Sequence, residues 1–157
     1  MHIKLVAIGK TDNKALQSLL DDYTKRLSFY IKFDLEIIPD IKNVKNLSES
    51  QQKEKEGELI LAKLTPTDQL ILLDENGTTF SSVGFSEYLQ KKMNSGPKTL
   101  VFVIGGPYGF SEEIYQKAQG KISLSPMTFS HQMVRLFFIE QLYRGYTILR
   151  NEPYHHQ

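Results

Sequence analysis

Three short runs of almost uninterrupted apolar residues, at 3–8, 69–73 and 100–104, set the limits on what this chain can become. A strand that is apolar on both sides belongs in a sheet covered on both faces, which is the environment of a parallel sheet. A fourth segment, 33–38, alternates before Pro39, and 122–124 has room for a short fifth strand. Helical patterns lie between them. Asp12 or Asn13 can cap a helix whose Leu16, Leu19, Leu20, Tyr23, Leu27 and Tyr30 recur on one face. Residues 42–58 are polar, with Ser48 and Gln51 or Gln52 spaced for a capping box. A loop is expected there, leading into a helix that gains apolar contacts only at Leu59, Ile60 and Leu64. The run 53–58, of mixed sign, reads as a solvated helix face. Asn76-Gly77 has turn chemistry and is expected to close the third strand, and 86–94 suits a helix packed through Tyr88, Leu89 and Met93. Alternation of this kind implies an α/β fold: a single domain over 1–157, with a mostly parallel sheet and helices on both faces.

A chain of 157 residues suffices for one core. It has no cysteine, which excludes disulfides, thiolate zinc sites and thiol nucleophiles and fits a cytoplasmic protein. The first apolar run is too short for a signal peptide and no stretch approaches a membrane span, so no membrane partner is expected. No Gly-x-Gly-x-x-Gly follows the first strand, and the P-loop and Gly-x-Ser-x-Gly patterns are absent. The last helix, 131–149, is apolar almost all round, carrying Met133, Val134, Phe137, Phe138, Leu142 and Tyr146. More than one apolar stripe needs more than one partner surface, which points to a homodimer.

The fourth strand runs into Gly105-Gly106-Pro107-Tyr108-Gly109, and a second loop, Leu124-Ser125-Pro126-Met127-Thr128-Phe129, leads to the last helix. Two loops leaving the carboxyl ends of strands are the raw material of a ligand pocket. Together with Leu5-Val-Ala-Ile-Gly9, Lys55-Glu-Gly-Glu58, Leu72-Leu-Asp74, His131, Val134-Arg135, Leu142-Tyr-Arg144 and Pro153-Tyr-His-His156, they carry a resemblance that covers essentially the whole chain. In order and spacing the chain resembles the SPOUT methyltransferases, and within them the ribosomal RNA large subunit methyltransferase H family, which methylates N3 of a 23S pseudouridine.

That resemblance implies an α/β fold with a C-terminal trefoil knot, a homodimer, and S-adenosylmethionine bound near the subunit interface. By position, the cofactor residues would be Leu73, Gly105, Leu124, Ser125, Pro126, Met127, Thr128 and Phe129. No metal is needed. The candidates for catalysis are Tyr154, His155, His131, Arg144 and Arg135. Tyr154 and His155 are expected to close over an active site, that of the partner subunit, and to hold the base or take its proton. His131 could equally bond the loop backbone, and a phosphate or an interface carboxylate would explain the two arginines. Tyr108 departs from the pattern, where a carboxylate or small polar residue often follows Gly-Gly-Pro. A net charge of +1 is low for a protein that holds nucleic acid by charge alone, so the expected substrate is ribosomal RNA within an assembled ribosome, with Lys10, Lys14, Lys25 and Arg26 as possible contacts. Two other readings keep the fold: a methyltransferase for transfer RNA or another ribosomal nucleotide, and a non-catalytic ribosome-binding dimer.

Overall fold

The computed structural model describes residues 1–156. β1 (His2–Ile8), β2 (Lys32–Ile38), β3 (Asp68–Thr79), β4 (Thr99–Ile104) and β5 (Gly120–Ser123) form one sheet in the order β2-β1-β4-β3-β5. Every neighbouring pair is parallel. The crossovers carry α1 (Lys14–Leu27), α2 (Glu49–Leu61), α3 (Ser82–Ser95) and α4 (Glu112–Lys117), while α5 (Met133–Leu149) follows the last strand.

The apolar runs are explained by two cores. Side chains alternate across a strand, so Leu5, Leu100, Phe102 and Ile71 pack on α1, α3 and α5, whereas Val6, Val101, Val103 and Leu72 pack on α2 and α4. Phe138 of α5 anchors the first core, with its ring 4.7 Å from that of Phe102. Ile60 and Ile114 anchor the second. Asn13 caps α1 through the amide of Leu16, and Ser48 with Gln51 closes a full capping box on α2.

Several expectations are corrected. Leu19 is exposed at 47%, because the buried face of α1 is set by Leu16, Leu20 and Leu27. The polar segment is ordered sooner than its composition suggests, with a 3-10 turn at Val44–Asn46 before α2, and Leu59 stays exposed. The run 53–58 is not uniformly solvated, since Glu56 and Gly57 are buried. The last helix begins at Met133, leaving His131 in a turn ahead of it.

The Asn-Gly segment does not end β3. The strand pairs with Ile122 at Leu73 and again at Thr78, so residues 74–77 form an excursion within a continuous strand. Asp74 accepts a hydrogen bond from the amide of Asn76 at 2.8 Å across the bend. Gly77 is there for space: a Cβ would lie 2.6 Å from the backbone of Ile122. Replacing Gly77 by alanine should therefore push β5 away and cost about 1–3 kcal/mol, read from urea unfolding. A loss below about 0.5 kcal/mol would mean that the β3–β5 contact has slack.

Candidate functional site

Because the strands are parallel, the ends of β3, β4 and β5 open at one edge of the sheet, and a cavity of about 430 Å³ lies there. Leu73, Asp74 and Glu75 come from β3, Ile104 to Phe110 from the end of β4, and Ser123 to Ser125 from the end of β5. Met127, Thr128 and Phe129 close the far side, with His131 and Val134 at the start of α5. Of the eight residues assigned to a cofactor by position, Leu73, Gly105, Leu124, Ser125, Met127, Thr128 and Phe129 line this one space, and Pro126 does not. Tyr108, half-exposed, lines it as well.

Local chemistry shapes each loop. In the first, the Gly109 amide donates to the Gly106 carbonyl at 3.1 Å and Gly109 takes φ +81°, which closes a tight turn. Phe110 folds beneath Gly105, whose absent Cβ would stand 3.1 Å from the ring. In the second, the Ser125 hydroxyl accepts from the Met127 amide at 2.9 Å and its carbonyl accepts from the Ser123 hydroxyl at 3.1 Å. Phe129 packs on Phe137 with ring centroids 4.9 Å apart.

The cavity suits S-adenosylmethionine. Leu73, Ile104, Ile122, Leu124 and Phe129 can hold an adenine between apolar walls, while Asp74 and Glu75 supply negative charge for a cationic ligand. Asp74 is fixed by Tyr115, whose hydroxyl donates to its Oδ2 at 2.5 Å. Burial, then that hydrogen bond, pushes the Tyr115 phenol up to about 12, so it remains a donor at neutral pH.

The tail forms a second cluster on the other half of α5. Tyr154 donates to Glu140 Oε1 at 3.0 Å, and the Tyr23 hydroxyl lies 3.1 Å from that of Tyr154. Glu140 Oε1 also accepts from Arg144 Nε and Nη2, at 3.1 and 2.5 Å. The fork leaves Arg144 Nη1 for His155 Nδ1 at 3.2 Å. Arginine has only donors, so in this contact Nδ1 is the acceptor. The Glu140 hydrogen bond raises the Arg144 pKa still further, and burial first, then Tyr23 and Glu140, raises that of Tyr154. The hydroxyl proton of Tyr154 is committed to Glu140, and His155 meets Arg144 through Nδ1.

The candidates therefore fall into two groups. His131 sits exposed at the cavity, whereas Arg144 lies roughly 16 Å along α5 from its first residue, with Tyr154 and His155 folded back against Glu140 and Arg144, and none of the three lines that cavity. Arg135 belongs to neither. Only 1% exposed, it donates from Nη2 to the Ile8 carbonyl at 2.9 Å and from Nη1 to Thr11 Oγ1 at 3.0 Å, tying α5 to the end of β1. The phosphate or interface carboxylate expected for it is replaced by the protein's own backbone.

Two residues escape a reading by pattern. Glu140 looks like an ordinary helix charge, yet it organises the tail. Glu56 looks solvated, yet it is 3% exposed and its carboxylate lies where a Cβ on Gly106 would be, 1.9 Å from Oε2. Gly57, costly inside a helix, was the available signal: it admits Ser111, whose Oγ would lie 2.7 Å from an added Cβ.

The family model described as SPOUT_MTase, predicted SPOUT methyltransferase, matches residues 1–155. The chain is 90% identical over 157 residues to the ribosomal RNA large subunit methyltransferase H of Flavobacterium johnsoniae, and 85% identical to that of Flavobacterium psychrophilum. It is 54% identical to the same-named protein of Porphyromonas gingivalis. In all three cases the match covers 100% of both chains.

Burial raises the Glu56 pKa above its ordinary 4.5, Asp40 adds to the rise, and Gln52 and His131 oppose it. The folded state therefore holds this proton more tightly than the unfolded one, so stability falls as pH rises from about 4.5 through the folded value. Glu56→Gln removes that slope. Its melting temperature should exceed the wild-type value at pH 7 and converge on it towards pH 4; parallel pH profiles would place the carboxylate in water.

Proposed function

Because the chain belongs to the SPOUT methyltransferase family, we propose that it transfers a methyl group from S-adenosylmethionine to large-subunit ribosomal RNA, at N3 of a pseudouridine in 23S RNA. The observation that carries this reading is the pairing of the cavity at the ends of β3, β4 and β5 with full-length identity of 54–90% to proteins named for this reaction class. When bound, S-adenosylmethionine supplies a methyl group already activated on a sulfonium sulfur. Leu73, Gly105, Leu124, Ser125, Met127, Thr128 and Phe129 hold it, and Asp74, braced by Tyr115, faces its cationic part.

The chain's own contribution is positioning and electrostatics. N3 of a pseudouridine becomes nucleophilic once it has lost its proton, and the resulting negative charge needs a partner. Arg144 is the fixed cation of the tail cluster. Held by Glu140, it presents its guanidinium edge beside His155, and with Nδ1 engaged by Arg144 the ring's Nε2 is left to meet the base. In this reading His155 and Tyr154 hold the base, Arg144 stabilises its anion, and the proton leaves to water. His131, at the mouth of the cavity, orients the incoming nucleotide.

One chain keeps the tail cluster on α5 apart from the cavity, so the active site is completed across a homodimer, with the tail of one subunit over the cavity of its partner. Exposed Leu19, Met133 and Phe137 support that interface, being large apolar side chains left uncovered on α1 and α5. A trefoil knot holds the second loop in place. The net charge of +1 supports a substrate recognised as a preformed ribosomal surface in the cytoplasm, with Lys10, Lys14, Lys25 and Arg26 as phosphate contacts.

The decisive experiment supplies radiolabelled S-adenosylmethionine to ribosomes lacking the modification and locates the label by nuclease mapping and mass spectrometry. Label on one large-subunit pseudouridine is expected. Label on transfer RNA or another nucleotide would overturn the substrate, and cofactor binding without any transfer would favour a non-catalytic ribosome-binding dimer.

Deleting residues 153–157 should lower kcat by at least about 100-fold while cofactor affinity and dimer mass stay unchanged. Arg144→Lys should lose a comparable factor, because an ammonium cannot hold Glu140 and His155 together. Full activity from the truncated protein would remove the tail from the reaction.

A further inference from the structure

The turn at the end of β4 is backed by a buried acid that no step above uses. Glu56 reaches from the second turn of α2 to the rear of Gly106, and the three atoms nearest to an added Gly106 Cβ would all belong to its carboxyl group. Oε1 accepts from Gln52 Nε2 at 3.0 Å. Oε2 is shielded from solvent and has no hydrogen-bonding partner among the described residues. A buried carboxylate with an unpaired oxygen is costly, and such a group calls for a reason. No cationic side chain is paired with it among the described residues: the nearby titratable groups are His131 and Asp40.

The wall between this acid and the cavity is one residue thick. Gly106 lines the cavity on its front and meets Glu56 on its back, and its main-chain turn is closed by the Gly109 amide. At the other end of the same segment, Gly57 lets α2 press against Ser111, the cap of α4. Residues 56 and 57 together clamp the turn from behind. A negative charge so placed is itself buried and stands behind Gly106, so its field is screened less than that of a surface carboxylate.

We propose that Glu56 is a specificity-determining residue that acts through Gly106, seating the turn and supplying the negative potential by which the cavity prefers a sulfonium methyl donor to its neutral thioether product. The inference rests on the reading of this cavity as the S-adenosylmethionine site. Donor and product share adenosine, ammonium and carboxylate and differ in the methyl group and the charge on sulfur. Asp74 and Glu75 contribute negative charge from the cavity's own lining, and Glu56 adds to it from behind Gly106. Such a bias keeps the product from occupying the site after transfer.

Calorimetric titration of S-adenosylmethionine and S-adenosylhomocysteine into the wild-type dimer, Glu56→Gln and Glu56→Ala tests this. The glutamine variant keeps the size of the side chain and its bond to Gln52. It should bind the donor about tenfold more weakly and the product within about twofold of wild type, with KM for the donor raised and kcat nearly unchanged. Its melting temperature at pH 7 should be higher by roughly 2 °C or more, so weakened binding cannot be blamed on a damaged fold. Glu56→Ala should show the same loss of discrimination on a less stable background. Equal losses for both ligands would reduce Glu56 to a packing residue, and unchanged discrimination in both variants would overturn the proposal. Failure of the wild-type protein to bind either ligand would instead overturn the cofactor reading itself.

Discussion

A parallel pair of strands cannot be joined by a hairpin; each connection must cross the sheet, and a sheet crossed in both directions must be buried on both faces. Most features of this protein follow from that constraint. It produces the alternation that sends Leu5 to one core and Val6 to the other. It brings the carboxyl ends of all five strands to one edge, where chain leaving β3, β4 and β5 has nothing above it and can enclose a ligand. It also places α2 on the opposite face from α5, so that the turn after β4 is reached from behind by Glu56 while its front faces the cavity.

This geometry separates two kinds of polar group. Asp74, held by Tyr115, is presented to the cavity, and Glu140 is spent on organising Arg144 and Tyr154. Arg135, for all its charge, is a structural strut between α5 and the end of β1. Charge in a buried place thus has three different explanations within one chain. Only the partners distinguish them.

The parallel sheet was legible because hydrophobic periodicity reports burial directly, and both loops of the cavity were legible because each sits where an apolar run stops. Asn76-Gly77 misled because a glycine that makes room for a neighbouring strand and a glycine that makes a turn are spelled alike. Residues 53–58 misled for a related reason: a single buried acid is invisible within a run of charges, and only Gly57 marked the place where α2 touches something. The tail residues Tyr154 and His155 stand out in the sequence, but that they meet Glu140 and Arg144 is a contact that no local pattern encodes.

α5 carries the cavity's edge at one end and the tail cluster towards the other, over 17 residues or about 25 Å. In the proposed dimer the helix is a measuring rod whose two marks fall in register with those of a second copy. Substitution along such a rod changes its surface and leaves the spacing intact. Insertion of a single residue would turn everything beyond it by about 100° and advance it by about 1.5 Å. Lineages of this protein should accordingly be free to repaint α5 and unable to lengthen it.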